Sequence, residues 1–404
     1  MIQEIAWKNI WRSKKRSIVI IAAIALGLWG GMFSNAIYWG MGESMVRSAI
    51  NRSLGHIQIH HPEYRDNPQL ASHLSEGVEY KSRIDAIPHV TGVSQRVIAE
   101  GMAASPESSF GVQIVGIDPN EEATVTELEK NLVDGTWFET DKRNPIVIGA
   151  KLAERLDLSV KSKIVLSFQA MDSSIAYMAC RIVGTYSTSS SLFDETHVFL
   201  QRADLWRVLG SKDIYHEVAI RAEKQQNVDS IQTALASMYP DQEVATWGEI
   251  SPELTLTYDS MQAFMLVFMV IVLLALLFGI VNTMFMAVLE RTREIGMLLA
   301  IGMKQGKLFL MILLETILLS LTGGIIGVAM TIGSIAIFGN TGIDLSIVSA
   351  GLAEYGIDTV LYPFLPVNTY YELFIMVLIT AVVASIFPAM KAVHTKPAEA
   401  IRDY

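Results

Sequence analysis

Residues 281–303 read VNTMFMAVLERTREIGMLLAIGM, an apolar helix that breaks off at Glu290-Arg291-Thr292-Arg293-Glu294 and resumes as a short amphipathic segment. In that segment Ile295, Leu298, Leu299 and Met303 share one helical face. A helix that is apolar all round and then meets a charged cluster is a membrane span reaching water. The amphipathic piece behind it is a natural docking surface, able to pass rigid-body motion of a soluble partner into two spans. As physics alone, an ordinary positive-inside loop carries comparable weight.

Working outward, the rest of the chain fits a membrane protein. It has 404 residues, 51% hydrophobic and 18% charged, with a mean hydropathy of +0.36. The formal charge of −10 argues against a nucleic-acid partner, which needs clustered Lys and Arg. Four apolar stretches, Ile18–Tyr38, Phe264–Leu289, Leu308–Phe338 and Leu373–Met390, reach the roughly 20 residues a bilayer requires. The first exceeds a signal-peptide core and reads as an uncleaved anchor.

Charge sets the expected topology. Basic residues flank the first span at Lys8, Arg12 and Lys14–Arg16, join the second to the third at Arg291, Arg293, Lys304 and Lys307, and follow the fourth. Between Lys307 and Lys391 there is neither Lys nor Arg. The expected organisation is a basic cytoplasmic N-terminus (1–17), first span (18–42), extracytoplasmic domain (43–259), second span (260–289), coupling segment (290–307), third span (308–338), outer loop (339–372), fourth span (373–390) and cytoplasmic C-terminus (391–404). The fold class is thus membrane α-helical with four transmembrane helices, plus an extracytoplasmic α+β domain inserted between helices 1 and 2. That domain carries a net charge of −12. Strand alternation at 55–60, 110–117, 145–148, 163–168 and 217–220, with helical spacing at 151–156 and 228–238, makes it mixed. Sections 84–97 and 231–245 look alike, suggesting a split α/β unit with a subdomain inserted at about 122–208.

The charged turn, with Asn282 before it and Glu315-Thr316 and Gly323-Gly324 after it, resembles the signature of the FtsX-like permease superfamily, the MacB-type ABC transporters. Trp7–Arg12, Gly55–Ile59, Pro145–Gly149 and Pro397–Arg402 are similar to other positions of that family. The resemblance implies a bacterial inner-membrane permease working as a homodimer or heterodimer with two copies of a cytoplasmic ABC ATPase. These would dock through Glu290, Arg291, Arg293, Glu294, Ile295, Gly296, Leu299 and Gly302, with ATP and Mg on the ATPase and no cofactor on this chain. The segment Gly302–Leu308 is too short for a phosphate loop and lacks its Ser or Thr. The Gly-His-Ile-Gln-Ile element and the run Val244–Glu249 look closer to the lipoprotein-release permeases of LolC and LolE type, whereas the charged turn is closer to MacB. Release of lipoproteins or another amphipathic molecule, MacB-type efflux with a periplasmic partner, and FtsX-like signalling to a cell-wall hydrolase all stay open.

Other residues have plainer readings. His56 and His60 sit about 13 Å apart on a strand, too far to share a metal. Cys180 is a lone small hydrophobe. The pairs Gly27/Gly31 and Gly323/Gly327 suit close helix packing. Glu315 is expected to make a structural hydrogen bond near the cytoplasmic side. Met41 and Met45 of the first span, with Met261, Phe264, Met265 and Phe268 of the second, are candidates to hold an acyl chain, since thioethers and rings repack around apolar ligands. Plain lipid contact or helix packing is the commoner role for any one of them.

Overall fold

The computed structural model describes residues 14–74, 80–138 and 142–394. The motifs at 7–12 and 397–402 lie outside the described residues. The described residues form two compact units, one within 14–42, 258–344 and 360–394 and the other within 43–257 and 345–359.

In the first unit, the helices Lys14–Ala49, Pro252–Glu290, Gln305–Thr341 and Val367–Val393 are each long and apolar enough to cross a bilayer. A helix is the natural element here because hydrocarbon offers its backbone no other hydrogen-bond partner. The first helix runs on past residue 42 to Ala49. Hydropathy marks the hydrocarbon thickness, whereas hydrogen bonding alone ends a helix. The glycine pairs do pack. A Cβ added at Gly27 would stand 2.6 Å from Leu276 Cδ2, and one at Gly327 would stand 2.9 Å from the carbonyl oxygen of Ala25. Removing the side chains lets the first helix lie close to the second and third. Trp29 Nε1 then donates to Ser334 Oγ at 3.0 Å, tying the first helix to the third.

The second unit is built on the strands β1 (Ile57–His60), β2 (Val90–Ala104), β3 (Ser109–Ile117), β4 (Leu132–Gly135), β5 (Pro145–Gly149), β6 (Lys163–Gln169), β7 (Ile175–Tyr186), β8 (His197–Gln201), β9 (Glu217–Ala222) and β10 (Glu243–Thr246). Four of them lie antiparallel in the order β10-β1-β9-β2. The helices Tyr80–Ile84 and Val228–Met238 bury Tyr80, Ile84, Ile231 and Leu235 against Ile57, Ile59, Val218 and Ile220 of this sheet. This is a β-α-β-β-α-β unit, and the two similar sections supply its two helix-then-strand halves.

The inserted subdomain begins earlier than expected. Arg96 of β2 still pairs with Glu217 of β9, but Val97 pairs with Gly116 of β3. The insertion therefore opens inside β2 at about residue 97 rather than at 122, and β3 belongs to it. Its apolar core runs from Val97 to Ile214, past the expected end at 208. At the switch sits Arg96, 4% exposed, bonded to Glu122 Oε1 at 2.6 Å and to Glu217. Burial works against its charge, but the two carboxylates hold its pKa above the ordinary value.

The histidines are occupied inside the fold. His60 stacks on Tyr64 with ring centroids 5.4 Å apart and meets Gln58 Oε1 at 2.8 Å. His56 Nδ1 accepts from the Ala222 N–H at 3.2 Å. His216 is fully buried: its Nδ1 accepts from the Ile98 N–H at 3.1 Å, so Nε2 carries the hydrogen donated to the Leu70 carbonyl. In the same unit, Asp358 of the loop 345–359 accepts from Ser44 and Ser48 at 3.1 and 2.8 Å.

These burials give stability a pH dependence. Burial lowers His56, His197 and His216 from 6.5 to about 4. The unfolded chain thus takes up more protons than the folded one between those values, and stability falls as pH drops through that window. Asp194, raised by burial from 3.8 to about 6, acts oppositely, because the folded state takes its proton first. Burial lowers His60 as well, so four histidines against Asp194 predict net acid destabilisation as pH falls below 6.5, measurable as a falling unfolding temperature. His216→Gln, which keeps a donor and an acceptor, should make that fall shallower; an unchanged slope would refute this assignment.

Candidate functional site

The second span ends at Glu290, and Arg291, with φ −103° and ψ 14°, turns the chain into the helix Thr292–Ala300. Thr292 Oγ1 donates to the Leu289 carbonyl at 2.7 Å across the break. At the far end Gly302 takes φ +100°, a conformation that disfavours any side chain. Its N–H donates to the Leu299 carbonyl at 3.1 Å, and the Met303 N–H to that of Leu298 at 3.0 Å. This pair of hydrogen bonds is the glycine-dependent helix stop, completed by apolar contact of the flanking residues. Gly302 is therefore required for the reversal into the third span, which begins at Gln305.

The short helix has two distinct faces. Ile295 and Gly296 are buried, and Leu298, Leu299 and Met303 pack against a core that includes Met284, Val288, Leu308 and Ile312 of the neighbouring spans. Glu290, Arg293, Met297 and Ala300 are exposed, and Ile301 is 86% exposed. The two arginines thus separate. Arg293 faces solvent, while Arg291 Nη1 meets Glu315 Oε1 of the third span at 3.1 Å, with side chains 18% and 10% exposed. The hydrogen-bonding role of Glu315 has its partner here, 24 residues back along the chain. Sequence patterning carries no signal for that pairing, although an acid inside a span demands some partner. A cavity of about 440 Å³ adjoins the pair, lined by Met284, Glu294, Ile295, Met297, Leu298 and Met311 among others.

The candidate acyl-chain residues do not form one site. Met261 and Met265 line a crevice with Tyr38, Trp39 and Tyr258, but it holds only about 10 Å³, no more than a single water. Met265 is buried, whereas Phe264 is 73% exposed and Phe268 37% exposed. The reason is helical period: Met265 and Met269 lie on the packed face, and Phe264 and Phe268, each one residue before, are turned from them by about 100°. Met41 is half-buried, and Met45 is buried within the other unit.

Residues 17–238 match the model of the MacB-like periplasmic core domain, and residues 266–397 match that of the FtsX-like permease C-terminal region. Among curated relatives, an uncharacterized ABC transporter permease of Methanocaldococcus jannaschii is 24% identical over 98% of this chain and 96% of its own length. The uncharacterized ABC transporter permease YknZ of Bacillus subtilis is 22% identical over 98% and 97%. The pyoverdine export ATP-binding/permease protein PvdT of Pseudomonas fluorescens is 24% identical over 98% of this chain, which spans 58% of that relative's length. The chain belongs to the ABC transporter permeases of the MacB and FtsX-like type, membrane proteins whose family implies an ATPase partner.

Proposed function

We propose that this permease converts the ATPase cycle of a cytoplasmic partner into movement of its outer domain, and so extracts or exports an amphipathic envelope molecule, lipoproteins first among them. The observation that carries the reading is the two-faced helix Thr292–Ala300. One face is embedded between the second and third spans, and the other presents Glu290, Arg293, Met297 and Ile301. A partner pressing on the exposed face moves both spans together, because the buried face gives the helix no independent freedom. ATP and Mg bind on that partner, which alone hydrolyses ATP, and two copies serve a pair of permease chains. Basic residues around this turn and at both ends of the chain support a cytoplasmic placement for them. A second reading, export of a soluble small molecule with a periplasmic partner, is favoured by the relative named for pyoverdine export.

The arginine pair separates docking from positioning. Arg293→Glu should weaken ATPase association roughly tenfold while leaving thermal stability unchanged, as expected for one exposed interface charge. Arg291→Glu should lower stability and coupled ATPase activity, and adding Glu315→Arg should restore part of both. Wild-type coupling in Arg293→Glu, or no rescue in the double variant, would overturn these roles.

The second span gives another test. Truncating the exposed Phe264 and Phe268 to Ala should reduce transport with the unfolding temperature unchanged, because these rings are free to meet substrate or a second chain. Met265→Ala should instead destabilise by about 2–5 kcal/mol through the cavity it leaves. Full transport by the Phe264/Phe268 variant would remove that face from the substrate path.

A further inference from the structure

The inserted subdomain is a closed barrel. Its strands pair in the ring β2, β3, β8, β5, β7 and β6, and β6 returns to β2. The ring leaves β2 and β6 paired on both sides, so a partner there meets their side chains rather than extending the sheet. Ala103, Leu166 and Met178 belong to the barrel core. Their outward neighbours stand in two rows, Met102 beside Ser167 beside Tyr177, and Ala104 beside Val165 beside Ala179. Tyr177 is 71% exposed, and Ile175, on the same face of β7, is 68% exposed. Large apolar side chains gathered on one open face mark a contact with another molecule, whereas the same residues scattered singly need no explanation.

The two ends of this face differ in charge. Lys163 and Arg181 lie directly opposite each other at one end, a like-charged cross-strand pair that is unfavourable until an acid meets it. Arg181 spends Nη1 on the Lys161 carbonyl, and neither Lys163 nor Arg181 has an ion pair among the described residues. With the exposed Lys161 they outnumber Glu107 of the adjoining turn 105–108. At the other end stand Glu100, exposed on the same face of β2, and Asp172, exposed in the turn joining β6 to β7. From Lys163 to Gln169 the strand spans roughly 20 Å, which keeps the two ends apart. A second copy, turned about a two-fold axis that lies in the interface and crosses the strands, sets Lys163 and Arg181 over the partner's Glu100 and Asp172. The contact is made twice, with the apolar rows stacked between. A surface that complements itself in this way fits another copy of the same chain.

We propose that this face of the barrel is where the outer domains of two copies of the chain meet. Three strands about 4.8 Å apart and about 20 Å long make it roughly 300 Å², well below the ~800 Å² per partner of a stable complex. Such a contact cannot hold free domains together. It forms because paired permeases keep their outer domains at high effective concentration, and it can open while the pair stays intact. The proposal thus rests on the pairing of permease chains and is independent of which cargo they move.

The test uses the full-length chain in lipid nanodiscs and a short bis-maleimide crosslinker. Cys180 is buried, so the wild type provides the unreactive background. Ser167→Cys, at the middle of the face, should yield a crosslinked dimer about tenfold more efficiently than Ala236→Cys, an exposed position on the helix Val228–Met238. Mixed Lys163→Cys and Glu100→Cys chains should link to each other more than either links to itself. Added to Ser167→Cys, Tyr177→Asp should cut crosslinking about tenfold with the unfolding temperature unchanged. The loss caused by Lys163→Glu should be restored by adding Glu100→Lys. Mass photometry of the same nanodiscs counts the chains. Paired chains without the Ser167→Cys crosslink overturn the contact alone, and single chains overturn it together with the pairing. Equal crosslinking at Ala236→Cys, or preferred linking of Lys163→Cys to itself, also overturns it.

Discussion

The ion pair between Arg291 and Glu315 determines how the membrane unit meets water. An acid near the end of a span is costly unless neutralised, and an arginine just beyond another span is the least expensive partner, since its charge already lies near the aqueous side. Joining them fixes the end of the second span to the third across a connection of only 24 residues. The rest of the turn follows. With both spans held, the intervening chain has room for two turns of helix, one apolar face must be buried, and a glycine must reverse the direction. The exposed residues are then left on the outside by geometry. A docking surface made this way moves as part of the spans that anchor it.

A comparable constraint operates in the outer domain. One continuous strand, β2, serves two sheets, and Arg96 stands at the residue where its partners change. A buried guanidinium is tolerable only when fully paired, so Glu122 from the insertion side and Glu217 from the β-α-β-β-α-β side are both drawn to it. Removing either carboxylate would leave uncompensated charge in a dry site, so the junction specifies its geometry more than it adds net stability.

The parts of this architecture legible in the sequence were those with a strong local period. The four spans are visible because hydrocarbon imposes length and composition, and the short helix because Ile295, Leu298, Leu299 and Met303 repeat at helical spacing. The insertion point is not legible because β2 is buried on both faces from Gly92 to Ala99, which erases the alternation that marks a strand and hides the change of partner within it. Residue type marks the acyl-chain candidates, and type does not distinguish Phe264, which faces outward, from Met265, which packs inward. The pairing of Arg291 with Glu315 is a tertiary fact with no local signature.

These features place recognition and motion in different chemical settings. The crevice between the first two spans has room for no more than one water, with Tyr38, Tyr258 and Gln262 in its lining. The outer domain instead offers a cavity of about 440 Å³ with hydrogen-bonding side chains in its lining. Selectivity requires polar groups whose mismatch is expensive, and apolar helix faces discriminate poorly between amphipathic molecules. A polar lining of this kind is better suited to discriminate between molecules than the apolar faces of the helices.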